Sequence, residues 1–331
     1  MPKLRWGVLS TAKIGQEQVI PAIQRSSNGE VVAIASRKLE KAQEVADKWA
    51  IPKAYDSYDA LLKDEQIDAV YIPLPNSMHK QWMIEAANFK KHVLCEKPVA
   101  LNNGELLEMI ETAKQNKITF MEAFMYQFHP QHQKVKKLIS NGEIGEIVMM
   151  RASFSFYLDN DQNIRLQNHL GGGAMYDVGC YTLHAIRNIL SDEPISVYAS
   201  STKKGESQVD TTMIGVLTFH DGKLGVFDTS FDTINRQSYE VVGSKGTITV
   251  TTAFRPDENE NMAGELVLKK EGQTPVTHKE AGDQYKLMVE NFASSVLEQK
   301  PLAYNVEEMK KQMAILDAVY QSSRENKVIK L

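Results

Sequence analysis

The sequence predicts an α/β fold in two domains: an N-terminal domain of alternating strands and helices on a parallel sheet, then an α+β domain on a mostly antiparallel sheet. Three observations predict it. The 331 residues exceed what one hydrophobic core ordinarily serves, at roughly 100–200 residues per domain. Up to residue 123 short apolar runs alternate with stretches of helical spacing, the signature of βαβ units. Beyond it the apolar runs follow one another mostly without intervening helices. The expected domains are therefore 1–123 and 124–331.

In the first domain Leu4 to Leu9 reads as a buried strand and Ile14 to Arg25 as its helix. A turn at Asn28-Gly29 leads to a second strand, Val31 to Ala35, and a helix, Leu39 to Trp49. Ala69 to Ile72 is the third strand, Met78 to Asn88 a helix and Val93 to Cys95 the fourth strand. Glu105 to Asn116 follows as a helix behind the candidate cap Asn103, and Thr119 to Ala123 is the fifth strand. In the second domain the strand candidates are Ile147 to Phe156, Val197 to Ser201, Met213 to Phe219, Leu224 to Phe231, Ser238 to Val242, Thr247 to Val250 and Leu266 to Leu268. Two helical patterns close the chain, Tyr285 to Glu298 and Val306 to Glu325, with Pro301 breaking between them.

Hydrophobic residues make up 42% and charged residues 24%, which argues against a disordered chain, a collagen-like repeat or a coiled coil. With 38 Lys and Arg against 42 Asp and Glu there is no basic excess to neutralise a phosphate backbone, so nucleic acid is not an expected partner. Cys95 and Cys180 are too few for a disulfide framework and lack zinc-ribbon spacing, so a reducing, cytoplasmic compartment is expected. The apolar stretch in MPKLRWGVLS is too short for a signal peptide, and no run approaches about 18 apolar residues. Neither export nor a membrane span is expected.

Strand Leu4 to Leu9 runs into Ser10-Thr11-Ala12-Lys13-Ile14-Gly15, in the place of a dinucleotide-binding GxGxxG turn. Here it reads S-x-A-x-x-G. Ser and Ala are small enough for a pyrophosphate to approach the backbone, and the following helix would present its free N–H groups. A tight strand-to-helix turn with no ligand would read the same. The second strand ends in Ser36 and Arg37, where an acidic residue would bind the ribose hydroxyls of NAD. A hydroxyl and a guanidinium suit a 2′-phosphate instead, so the sequence leans toward NADP over NAD, unless Arg37 is simply a solvated loop charge.

Strand Val93 to Cys95 ends in Glu96-Lys97-Pro98, which delivers a lysine to the carboxyl edge of a parallel sheet, where such sheets bind ligands. Pro98 excludes the helical conformation at Lys97 and admits a cis peptide, and either would aim the ammonium. A surface lysine paired with Glu96 is the plainer alternative. In GGGAMYDVGCYTLH, residues 171–184, a helix would place Asp177, Tyr181 and His184 on one face at i, i+4 and i+7. The glycine triplet would let its start lie close to a ligand or another backbone. Tyr181 and His184 could equally be amphipathic core residues. No third ligand completes a metal site with Asp177 and His184, so no metal is expected.

The run LRWGVLSTAKIG, the segment YIPLPNSMH, the Glu96-Lys97-Pro98 turn and GGGAMYDVGCYTLH together resemble the glucose–fructose oxidoreductase / inositol dehydrogenase / MocA family over almost the whole chain. With Ser10, Ala12 and Cys180-Tyr181 it most resembles the D-xylose dehydrogenase and dimeric dihydrodiol dehydrogenase branch. The resemblance implies a Rossmann domain followed by an α+β domain whose large, mostly antiparallel sheet serves as a subunit interface, hence a homodimer or homotetramer. It implies that Lys97 is catalytic, that Tyr181 transfers the proton and that Asp177 is the neighbouring carboxylate. It places Ser10, Thr11, Ala12, Ile14, Ser36, Arg37, Leu74, Asn76, His79, Glu96 and Lys97 along the dinucleotide. Tyr126, His129, Arg165 and His184 would wall the substrate pocket.

The implied activity is hydride transfer between the nicotinamide and a hydroxyl-bearing carbon of a sugar, polyol or trans-dihydrodiol, the cofactor supplying the redox chemistry and the protein the geometry. A free tyrosine has a pKa of about 10, so Tyr181 needs a nearby cation to act as base, and Lys97 is the candidate. Tyrosine rather than histidine at position 181 counts against an inositol dehydrogenase. The fold also admits an NAD-retaining glycosidase with no net cofactor turnover, or a cofactor sensor.

Overall fold

A computed structural model describes residues 2–331 and divides them into two compact units, one running to Met125 and including Tyr285–Lys311, the other Tyr126–Gln284 with Gln312–Leu331.

The first unit is a parallel sheet with its helices. Strand β1 (Leu4–Leu9) is followed by α1 (Ile20–Arg25), β2 (Gly29–Ala35), α2 (Leu39–Trp49), β3 (Lys53–Tyr55), α3 (Tyr58–Leu62), β4 (Ala69–Ile72), α4 (His79–Asn88), β5 (His92–Cys95), α5 (Asn103–Asn116) and β6 (Phe120–Glu122). The order is β3-β2-β1-β4-β5-β6, all parallel, so the direction of winding reverses between β1 and β4. Every residue of β4 is buried, which is why its sequence AVYI is a continuous apolar run rather than an alternation. The short β3 and α3 were not visible in the pattern: β3 has three half-buried residues at the sheet edge, and α3 rests on Ser57, whose Oγ accepts from the Ala60 amide at 3.2 Å.

The cap of α5 is Asn102, not Asn103. Asn102 is extended, and its side chain accepts from Glu105 N at 2.9 Å while Glu105 Oε2 accepts from Leu101 N at 3.0 Å. That reciprocal arrangement needs the cap three residues before the acid.

The segment Tyr285–Lys311, placed by sequence beyond the expected boundary, packs with this first unit. The rings of Phe292 and Trp6 lie 5.1 Å apart, Asn28 Nδ2 donates to Glu290 O at 3.0 Å, and the Tyr304 hydroxyl donates to Glu122. Buried aromatic contacts of this size outweigh proximity along the chain.

The second unit holds α6 (Pro130–Ser140), β7 (Ile147–Ser155), α7 (Cys180–Leu190), β8 (Pro194–Thr202), β9 (Thr212–Phe219), β10 (Leu224–Ser230), β11 (Arg236–Gly243), β12 (Gly246–Val250), β13 (Ala263–Lys270), β14 (Val276–Ala281) and β15 (Ile329–Lys330). Helices α8 (Gln284–Glu298) and α9 (Val306–Glu325) begin and end across the division between the units. The nine strands run β14-β13-β12-β11-β7-β10-β9-β8-β15, antiparallel except for β7 beside β10.

One face is sealed by side chains that alternate inward, such as Met213, Leu217 and Phe219 on β9. Gly215 shares that face because the Phe227 ring occupies its space: a Cβ there would come within 2.4 Å of the ring. Along the other face Tyr198, Ile214, Val216 and Leu224 are exposed, with Tyr198 opposite Val216 and Val226 opposite the same residue on the next strand.

Candidate active site

In the first unit the expected cofactor residues gather at the carboxyl edge of the sheet. Ser10-Thr11-Ala12 follows β1, and Ile14 stands in the first turn of the next helix. Ser36 and Arg37 follow β2, Leu74 and Asn76 follow β4, and Glu96 and Lys97 follow β5. The strand ends that flank the reversal, β1 and β4, are where an open α/β sheet forms its ligand crevice.

Local chemistry shapes this edge. Ser10 takes φ 135°, a conformation that glycine adopts freely, and its Oγ accepts from Ala12 N at 3.0 Å, so a hydroxyl holds the turn where the usual fingerprint has glycine. The helix start beyond it has no side-chain cap, leaving its amides to an anion. That helix opens with a wide turn in which Ile20 N donates back to Gly15 O, five residues away. Ser36 is buried and Arg37 exposed, with no acid at the end of β2. Small side chains at the turn and an uncapped helix start fit a dinucleotide.

Lys97 precedes a cis peptide to Pro98. Its neighbour Glu96 accepts from the Tyr71 hydroxyl at 2.6 Å. His79 is wholly buried, its Nδ1 2.9 Å from Pro98 O and its Nε2 2.8 Å from Leu74 O. Burial pushes its pKa down to about 4, so the ring is neutral and, packed between the loop after β4 and the Lys97 turn, donates to one of these carbonyls. His79 therefore serves the site through two backbone segments.

In the second unit the residues expected to share a polar face stand on a helix of a different kind. Met175–Gly179 is a wide turn, with Cys180 N donating back to Met175 O, and α7 continues from it. The 3.6-residue period that aligned Asp177 with Tyr181 and His184 does not hold through this turn. Asp177 Oδ2 instead accepts from Arg165 Nε at 2.6 Å, and their attraction raises the Arg165 pKa further.

The glycine triplet makes this possible. Gly173 N donates to Arg165 O at 2.8 Å, and a Cβ on Gly172 would lie 2.4 Å from the same oxygen. The triplet thus admits another backbone, the one that brings Arg165 to Asp177.

Tyr181 is buried in a cage of aromatic rings, 5.7 Å from Tyr126 and 5.5 Å from both Phe154 and Phe254. Behind it the Tyr126 hydroxyl pairs with His184 Nδ1 at 2.5 Å. Burial, with Arg187 adding to it, holds the His184 pKa well below the usual value, so the ring stays neutral. Both residues are interior, supporting Tyr181 from within. His129 caps α6: its Nδ1 accepts from Gln131 N at 3.3 Å and its Nε2 donates to Met262 O at 3.0 Å.

Sequence reasoning missed Asp210. Its Oδ2 accepts from Met175 N at 2.7 Å, its carbonyl accepts from Ala174 N at 2.9 Å, and the Tyr320 hydroxyl donates to its Oδ1 at 3.0 Å. A long-range carboxylate capping a helix start has no local sequence signal. His132, held by Tyr239 and by Ala253 O, was missed for the same reason.

Residues 4–124 match the oxidoreductase family with an NAD-binding Rossmann fold, and residues 132–249 match the GFO/IDH/MocA C-terminal domain. The chain belongs to the GFO/IDH/MocA oxidoreductase family. Within this family it is 39% identical over 329 residues to a D-xylose 1-dehydrogenase (NADP(+)) of Haloferax volcanii, covering 99% of this chain and 100% of that one. It is 34% identical over 252 residues to a trans-1,2-dihydrobenzene-1,2-diol dehydrogenase of Danio rerio, covering 75% of this chain and 74% of that one. A 3-ketoreductase from Actinomadura kijaniata, solved with NADP and TDP-benzene, has a TM-score of 0.92 at 28% identity and covers 97% of this chain and 98% of that one. The oxidoreductase is thus a nicotinamide-dependent enzyme with the two-part architecture that the sequence implied.

Proposed function

We propose that this oxidoreductase prefers NADP and moves hydride to or from a hydroxyl-bearing carbon of a sugar, a polyol or a trans-dihydrodiol. The observation that carries the reading is Lys97 at the carboxyl edge of the dinucleotide-type sheet, on a turn that packs with the β4 loop around His79. The relatives named for D-xylose and for a trans-dihydrodiol support the substrate class.

The cofactor, when bound, supplies the hydride chemistry. Ser10, Thr11, Ala12 and Ile14 hold its pyrophosphate, Ser36 and Arg37 its 2′-phosphate, and Leu74, Asn76, His79 and Glu96 shape the rest of its course. Lys97 stabilises negative charge on the substrate oxygen, and Tyr181 Oη takes or returns the hydroxyl proton. Asp177 and Arg165 neutralise one another beside Tyr181. Tyr126, His129 and His184 shape the substrate side from the interior.

The test is nicotinamide absorbance with NADP or NAD over a panel of aldoses, polyols and trans-diols. Turnover with NADP is expected, and Arg37→Ala raises the KM for NADP by about 10- to 100-fold while moving that for NAD far less, as loss of one charge-assisted contact should. Equal effects on both cofactors would overturn the 2′-phosphate assignment. Cofactor binding without net turnover would favour the glycosidase or sensor reading.

The exposed face around Tyr198, Ile214, Val216 and Leu224 supports self-association into a dimer or tetramer, since soluble monomers seldom leave such strips uncovered. Light scattering at micromolar concentration should give a multiple of the 37.2 kDa chain mass, and Ile214→Asp should lower it. A wild-type monomer would refute the association. Two buried free cysteines, Cys95 and Cys180, accord with a cytoplasmic setting.

A further inference from the structure

The Lys97 turn is held from a second side. Glu122, the last residue of β6, is 2% exposed. Its Oε1 accepts from Val99 N at 2.9 Å and its Oε2 accepts from the Tyr304 hydroxyl at 3.2 Å. Tyr304 is itself buried, packed edge-on to Phe124 at 5.7 Å. Burying a carboxyl at the end of an apolar strand is unfavourable, and an apolar side chain would fill the space without that penalty. The fold keeps an acid there, bonded to the backbone two residues beyond Lys97.

We propose that Glu122 is a positioning residue for Lys97: its side chain anchors residues 97–99 and, when ionised, supplies the negative side of the field in which the ammonium works. The inference rests on the role proposed for Lys97. The titratable groups around Glu122 are Cys95, Glu96 and Lys97 from β5 and its turn, and Tyr304 from the returning segment. Burial raises the Glu122 pKa to about 8, with Glu96 adding to the rise, while Val99 N–H, the Tyr304 hydroxyl and Lys97 oppose it. Its charge can therefore change near neutrality, and protonation would weaken the field it sets at the Lys97 ammonium.

Glu122→Gln keeps the volume and an acceptor for Val99. It should lower kcat by about tenfold, leave the KM for NADP within about twofold, and move the alkaline limb of the kcat pH profile down by about one unit. Tyr304→Phe, which keeps the Val99 bond and removes one donor, should move the same limb in the same direction by less. It decides the matter alone if Glu122→Gln fails to fold. An unmoved limb in the variants that fold overturns the inference even if kcat falls, because loose packing would slow turnover without moving a titration. Lys97→Ala separates the two readings: if it keeps turnover, the assigned role of Lys97 falls and this inference with it. If it is inactive and the limb stays put in Glu122→Gln, only the role of Glu122 falls.

Discussion

Replacing Lys97 by alanine or Tyr181 by phenylalanine is expected to lower kcat by about 100- to 10,000-fold, the range that a positioned proton-transfer group supplies. The tyrosine change is the cleaner one. Tyr181 sits among the rings of Tyr126, Phe154 and Phe254, and phenylalanine keeps every one of those contacts. Only the hydroxyl is lost, so the fold and the substrate KM should change little while kcat and kcat/KM fall together. Lys97 lies in the other unit, on the turn whose Val99 N donates to Glu122 and whose Pro98 O faces the His79 ring. Those bonds are to backbone and survive the truncation, so NADP affinity, followed by fluorescence titration, should stay close to that of the parent. Near-parental kcat in either variant would remove that residue from the chemistry. Loss of NADP binding in Lys97→Ala would make the lysine a binding group first.

Gly173→Ala is expected to destabilise the second unit by about 2–5 kcal/mol, the combined cost of a strained backbone and an overpacked contact. Gly173 has φ 132°, and a Cβ would meet Asp210 Oδ1 at 2.5 Å and the Tyr320 hydroxyl at 3.0 Å. Neither neighbour can yield easily, because Asp210 also accepts from Met175 N and is held by Tyr320. Displacing Asp210 would uncap the turn that carries Asp177, so activity should fall with stability. Gly142→Ala is the control: its φ of 74° is also left-handed, but nothing lies within 4 Å of a Cβ there. Strain alone should cost it about 1 kcal/mol. The comparison reads the midpoint of urea unfolding, and equal losses in the two variants would show that the contact with Asp210 contributes nothing.

Much of the candidate site was legible because its parts lie close together in sequence. The turn Ser10 to Gly15, the Glu96-Lys97-Pro98 sequence and the triplet before Asp177 each join a strand or helix end to a residue of known chemistry, and the structure places the first two at one sheet edge. Reading Asp177, Tyr181 and His184 as one helical face was less apt. The wide turn at Met175–Gly179 changes the phase, Asp177 pairs with Arg165, and His184 turns inward to Tyr126. Periodicity assumes a regular helix and is blind to an inserted residue.

By itself the sequence determined the parallel sheet, the sheet that follows it, the place of the cofactor turn and the absence of an acid after β2, since these depend on local pattern and on which residue stands at a strand end. Only the tertiary structure decided that Tyr285–Lys311 joins the first unit, that Asp210 caps the turn before α7, and that Glu122 holds the Lys97 turn with His79 packed against it. The hydrogen bonds concerned join residues from 19 to more than 260 positions apart. Such bonds form only once burial has removed water as a competitor, and local pattern carries no record of which distant partner will then be present.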